Sequence, residues 1–355
     1  MSDRPKPLTA GSGAPPSTET EAEGSLASDS GRPAAAPASR RSRRATLAAT
    51  SAGVRFGLAA AGSLGLFGLV YWGLVLSRAG QRLENLALMG AQLRGDAARE
   101  ASLGVLSQVT VLSLALAIIG LVAVAAIRKR PGLGVLVAAV VGGSTALAEI
   151  LKDVLPRPEL VSGPAWILRN DFPSGTATVA AGLGIGALLV APDRLRWVIL
   201  PIGALFAAVI GQSTQITGWH RMSGAVGGVL LVIAIASAAL VLLDRIGNVQ
   251  RSPWGRVDRR VRVALLVLPL AALAVAAALI VMLVVFPVLQ VPRDADSVFF
   301  HTVFELAGFG FTIVAFIGFA SLIEPFSLGR SAAPVGGAGD PPADPSPGRR
   351  PWRRS

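Results

Sequence analysis

Lys152 and Arg157 stand five residues apart in KDVLPRP, Ser174 and Gly175 sit in NDFPSGT, and Ser213 and His220 bracket STQITGWH. Together these residue types point to phosphate chemistry. Two cations and a hydroxyl hold phosphoryl oxygens, helix-end amides receive negative charge, and an imidazole attacks phosphorus or moves a proton. Pro-Ser-Gly opens an apolar run, which predicts a helix with Ser174 as its N-cap. The amides of Gly175 and Thr176 would then be open donors at a helix N-terminus, where anions are favoured. His220 and Arg221 stand just before another apolar run. Each piece also has a plainer reading. Lys152 and Arg157 at span ends can snorkel to headgroups, and His220 beside Trp219 fits an interfacial belt. With no cysteine and only two histidines, His220 and His301, no metal or other cofactor is expected.

The order Lys...Arg-Pro, then Pro-Ser-Gly at a helix start, then Gly-Trp-His before a further helix resembles the type 2 phosphatidic acid phosphatase family, related to vanadium haloperoxidases. The resemblance covers about residues 56–243. Its motifs are written K-x6-R-P, P-S-G-H and S-R-x5-H-x3-D. It implies that His220 descends from the nucleophile and that Lys152, Arg157, Ser174, Gly175 and Ser213 bind phosphate. It also implies four substituted positions. Glu159 stands where the first-motif arginine belongs, with Arg157 the nearest arginine. Thr176 replaces the histidine that protonates the leaving group, Thr214 replaces an arginine, and Gly224 replaces the aspartate that orients the nucleophile.

A threonine is no general acid near neutral pH, a loss of about 10²- to 10⁴-fold that a pyrophosphate leaving group would soften. By analogy with serine-protease triads, losing the orienting carboxylate costs about 10⁴-fold. Thr214 also forgoes a bidentate clamp. The resemblance therefore implies a membrane protein that is catalytically impaired or non-catalytic and binds phosphorylated lipid headgroups at the outer face. One alternative is an active lipid phosphate or pyrophosphate phosphatase working through a phosphohistidine. Another is a transporter or scaffold in which the ancestral pocket has no part. Glu149 and Glu305 are both open as stand-ins for the missing aspartate. The default for Glu149 is an ion pair with Lys152, three residues on. For Glu305, which shares a face with His301, it is a hydrogen-bonded pair between helices.

The elements that must position these residues are membrane helices. Of 355 residues 52% are hydrophobic and 15% charged, which argues against an ordinary soluble domain. The net charge of +12 is read as basic loops beside anionic lipid, and membrane lipids rather than nucleic acid are the expected partners. Eight apolar runs, near 56–76, 103–127, 132–151, 175–191, 197–213, 222–243, 263–289 and 299–323, predict an all-α polytopic bundle of about eight transmembrane helices. Its expected organisation is a disordered cytoplasmic tail (1–50), a six-helix phosphatase-like core (51–245), an added two-helix unit (246–325) and a disordered basic tail (326–355). With an internal N-terminus, 24 of the 33 Lys and Arg fall on the inside. The positive-inside rule then places both termini in the cytoplasm and the three motif loops at the outer face of the cell membrane. The loop SRAGQRLENLALMGAQLRGDAAREAS after the first span has apolar residues at helical spacing and is read as an interfacial connector.

Overall fold

The computed structural model describes residues 38–93, 95–162, 168–252 and 293–329, with side chains described from Ala52 and, in the last segment, from Ser297. The chain divides into a unit Met1–Arg43, described only as the start of a helix, and a unit Arg44–Ser355 that contains everything discussed below. Among the described residues there are nine α-helices: α1 (Ala38–Val70, continued by a π-helical turn over Tyr71–Val75), α2 (Arg78–Gln92), α3 (Asp96–Leu106), α4 (Val111–Ile127), α5 (Pro131–Val154), α6 (Gly175–Val190), α7 (Arg196–Ile216), α8 (Met222–Arg245) and α9 (Arg293–Ile323). Two short strands, β1 (Val249–Arg251) and β2 (Phe326–Leu328), pair antiparallel.

Five segments are long and apolar enough to cross a bilayer: Ala52–Val75, Pro131–Val154, Asp193–Ile216, Met222–Arg245 and Ser297–Ile323. The pair α3 and α4, bent by 54°, makes a sixth if counted as one span. The architecture is an all-α bundle with helices of the length and apolarity of membrane spans. The expected run 263–289 lies outside the described residues, as do residues 1–37 and 330–355 of the two tails.

Three boundaries differ from expectation. Helix α1 begins at Ala38, inside the stretch assigned to the N-terminal tail, and residues 326–328, assigned to the C-terminal tail, form β2. The run 103–127 breaks between α3 and α4 because its polar side chains bind backbone there. Thr110 and Ser113 form a capping box that starts α4 afresh, and the Ser113 hydroxyl also donates to the Gln108 carbonyl at 2.7 Å.

Helix α6 organises the bundle. Its 16 residues make it roughly 24 Å long, short of a roughly 30 Å hydrocarbon core. It is apolar around its circumference and packs on α4, α5, α7 and α8, which suits a fully enclosed helix. Helix contact inside a bilayer gains from van der Waals fit rather than water release, so small residues matter. At the α6–α7 crossing a Cβ on Gly184 would sit 2.9 Å from the Gly203 carbonyl oxygen, so the two backbones touch.

The connector after α1 is a structural element. Ser77 caps α2 by accepting from the Gly80 amide at 2.9 Å. One face of α2, Gln81, Glu84, Asn85 and Leu88, is buried, and Ala87 joins an apolar cluster with Phe300, Val303, Phe304 and Ala307 of α9. At the opposite end of the bundle Arg196 donates to the carbonyls of Ile323 (3.0 Å) and Phe326 (2.6 Å), and Arg130 donates to that of Leu328 (2.6 Å). Phe326 also meets Phe56 of α1 edge-on, with ring centroids 5.4 Å apart. These contacts fix the end of α9 against α1, α5 and α7.

Candidate functional site

The three motif loops meet at one end of the bundle because side chains bind their backbones. Asn170 donates to the carbonyls of Lys152 (2.9 Å) and Leu155 (2.8 Å), closing the C-terminus of α5. The Tyr71 hydroxyl donates to the Pro156 carbonyl at 2.5 Å, and its ring stacks on Phe172 with centroids 5.3 Å apart. Gln81 of α2 donates to the Pro158 carbonyl at 2.7 Å and accepts from the Leu160 amide at 3.3 Å. Asp171 joins the second loop to the third. Its carboxylate accepts from the Arg221 amide at 2.7 Å and from the Arg221 guanidinium at 3.0 Å. The Ser174 amide donates to the Gly224 carbonyl at 2.9 Å.

His220 is presented by the end of α7. The Thr214 carbonyl accepts from the amides of Trp219 (2.9 Å) and His220 (3.1 Å), and Gly218 turns the chain at φ +71°, a conformation glycine adopts without strain. His220 Nδ1 lies 3.2 Å from the Asp171 backbone carbonyl. A carbonyl can only accept, so this hydrogen bond puts the proton on Nδ1 and leaves the Nε2 lone pair free in the neutral ring. Burial pushes the His220 pKa down, as does Lys152, and Asp171 opposes this only in part.

Gly224 explains why the carbonyl has this role. A Cβ at position 224 would lie 2.8 Å from the same Asp171 oxygen, so an aspartate there would collide with the group that orients the imidazole. The orienting group is thus a main-chain carbonyl, supplied by neither Glu149 nor Glu305. Thr214 is fully buried and its hydroxyl donates back to the Gly211 carbonyl at 2.7 Å, so this side chain serves its own helix.

The cations fall into two groups. Lys152 Nζ meets both carboxylate oxygens of Glu149, at 2.8 and 2.9 Å, beside the start of α6. There Ser174 Oγ accepts from the Ala177 amide at 3.3 Å and the Ser174 carbonyl from the Thr178 amide at 3.0 Å, leaving the Gly175 and Thr176 amides as the open donors. Arg157 belongs to a buried network. It sits 3.8 Å from Glu84, whose other oxygen accepts from the Ser223 amide at the start of α8 at 2.9 Å, while Arg221 donates to Asn85 at 3.1 Å. The Arg157 side chain is only 3% exposed, yet both terminal guanidinium nitrogens lack a hydrogen-bond acceptor among the described residues.

Burial pushes the Glu84 carboxyl up to about 7 against the pull of Arg157. Burial also lowers Arg157, helped by repulsion from Arg221. For Asp171 burial acts upward, but Arg221, His220 and Arg157 outweigh it and hold the carboxyl below its ordinary value.

Of the expected site residues, Lys152, Arg157, Ser174, Gly175 and His220 stand at this end of the bundle. Ser213 lies in the last turn of α7, where its carbonyl accepts from Thr217, and among the described residues no hydrogen bond links its hydroxyl to the cluster. Glu159 is exposed. Six contributors were not singled out from sequence: Tyr71, Gln81, Glu84, Asn85, Asn170 and Asp171. Gln81, Glu84 and Asn85 had a readable signal, a polar stripe at i, i+3, i+4 on an otherwise amphipathic helix.

Beside His220 there is a gap of about 10 Å³ lined by Glu84, Gln215, Arg221 and His301 among others, room for roughly one water and none for a phosphoryl group. His301 pairs with Glu305 at 3.9 Å, and Glu305 accepts from Gln212 of α7 at 2.7 Å, the expected interhelical bond. A much larger cavity of about 690 Å³ lies away from this chemistry, between the α3–α4 bend, α6 and α7, and carries no titratable lining residue. Comparison with family models, curated proteins and solved structures finds no match to this chain.

Proposed function

We propose that this chain is a degenerate member of the type 2 phosphatidic acid phosphatase family, a pseudoenzyme that binds the phosphate of a phosphorylated lipid headgroup without hydrolysing it. In this reading about eight spans cross the cell membrane, both termini are cytoplasmic, and the seat formed by Lys152, Arg157 and the start of α6 faces outward. The observation that carries it is Arg157, a buried guanidinium whose two terminal nitrogens, one of them 3.8 Å from Glu84, have no hydrogen-bond acceptor among the described residues. Buried donors without partners are costly, and phosphate oxygens would satisfy them in bidentate form. Thr176 supplies no acid for a leaving group, which supports binding over turnover.

The test uses purified full-length protein in detergent, titrated with inorganic phosphate and with short-chain phosphatidic acid. Binding that weakens with salt and falls about tenfold or more in a Lys152→Ala, Arg157→Ala double variant is expected. Binding unchanged in that variant would remove the seat. A second reading, hydrolysis through a phosphohistidine, draws on the Asp171 carbonyl, which leaves His220 Nε2 available as a nucleophile. Release of phosphate from a lipid pyrophosphate, abolished by His220→Ala, would establish it in place of the first.

A further inference from the structure

The open end of α6 already faces an anion from its own chain. The carboxylate of Glu149 lies against Gly175, so closely that any side chain at position 175 would run into Glu149 Oε1. Lys152 Nζ holds this carboxylate through both oxygens, at 2.8 and 2.9 Å, and itself lies 3.3 Å from where a Gly175 Cβ would be. A carboxylate with two oxygens on a lysine, lying against the first residue of a helix, occupies a place that phosphate oxygens would take.

We infer that Glu149 is an internal competitor for the phosphate seat. An incoming phosphate must take Lys152 from Glu149 and enter the space at the start of α6 where the Glu149 carboxylate lies, so that Glu149 swings away. The geometry allows this exchange, because the Glu149 side chain is 57% exposed and the Lys152 side chain 22%. An exposed pair one turn apart on a helix is weak, of the order of tenths of a kcal/mol, so displacing it costs little. The dianion of a phosphate monoester offers more charge than the carboxylate it replaces, and a third oxygen. Glu149 therefore sets a threshold. Weak monoanions gain nothing by replacing a carboxylate that is already tethered, whereas a phosphate monoester gains charge and contacts. The inference rests on the phosphate-seat reading proposed above.

Calorimetric titration of the full-length protein in detergent with inorganic phosphate tests it. In Glu149→Gln, which keeps the shape and loses the charge, phosphate affinity is expected to rise about three- to tenfold, the scale of one helix-end charge interaction combined with one released ion pair. Glu149→Asp separates seat-filling from simple repulsion. Its charge is retained but its reach is shorter by one methylene, so affinity should also rise if the carboxylate must touch the helix end. Affinity unchanged or lowered in Glu149→Gln would overturn the competitor role while leaving the seat standing, and a gain in Glu149→Gln without one in Glu149→Asp would reduce Glu149 to a general repulsive charge and likewise overturn it. Absence of phosphate binding in the native chain and in both variants would overturn the seat and the competitor together.

Discussion

At the level of single residues the site is defined by a main-chain contact. The Asp171 main-chain carbonyl orients His220, and Gly224 is small because that carbonyl needs the room. A side chain at position 224 should therefore do harm. Gly224→Asp is expected to lower the thermal unfolding temperature by the equivalent of about 1–3 kcal/mol, the usual cost of forcing atoms into a filled space, with no gain in phosphatase turnover. A Gly224→Asp protein as stable as the native one would mean the carbonyl can move aside. Ser174→Ala removes the N-cap of α6 and should cost about 1 kcal/mol in the same measurement. The cap and the lysine were legible from residue type and spacing. The role of Asp171 was not, because a main-chain acceptor leaves no mark in the side-chain sequence.

At the level of elements, α2 changes the most between linear reading and folded protein. Spacing alone suggests a connector lying on the interface, yet α2 inserts Glu84 between Arg157, Arg221, Asp171 and the start of α8, with His220 and His301 across the small gap. Its folded pKa of about 7 lies above the ordinary value of 4.5, so Glu84 holds its proton more tightly when the protein is folded. That contribution to stability is fully present below pH 4.5 and is lost as pH rises toward 7, a change of up to about 3 kcal/mol at about 1.4 kcal/mol per unit. Glu84→Gln cannot titrate and still offers an oxygen to the Ser223 amide. Unfolding temperatures measured between pH 5 and 8 should show the variant gaining on the native protein as pH rises. Parallel curves would mean that Glu84 stays ionised in the folded state throughout.

At the level of the whole molecule the bundle carries its motif loops at one end and the Arg196, Arg130 and β1–β2 contacts at the other. The proposed orientation makes these the outer and cytoplasmic ends. Since the chain has no cysteine, single introduced cysteines report directly. Asp153→Cys and Arg194→Cys both fall at exposed positions near opposite ends. An impermeant thiol reagent added to intact cells should label the first and spare the second, and the reverse pattern would invert the topology. The position of α9 belongs to this scale as well. Sequence resemblance stops before it, yet it packs on α2, α7 and α8 and brings His301 to the gap beside His220.

Apolar run length, basic-residue placement and helix-opening residues are local properties. They were enough to determine an all-α bundle of apolar helices, the Ser174 cap, the Glu149–Lys152 pair and the grouping of three loops at one end. The run 103–127 shows where local reading ends, since a single apolar stretch was cut in two by the Thr110 and Ser113 hydroxyls, which bind backbone and start a new helix. Only tertiary structure decided that a main-chain carbonyl orients His220, that a connector helix buries a carboxylate against Arg157, and that the site's own glutamate lies at the open end of α6. Each depends on the distance between groups far apart in the chain, and no spacing rule encodes that distance.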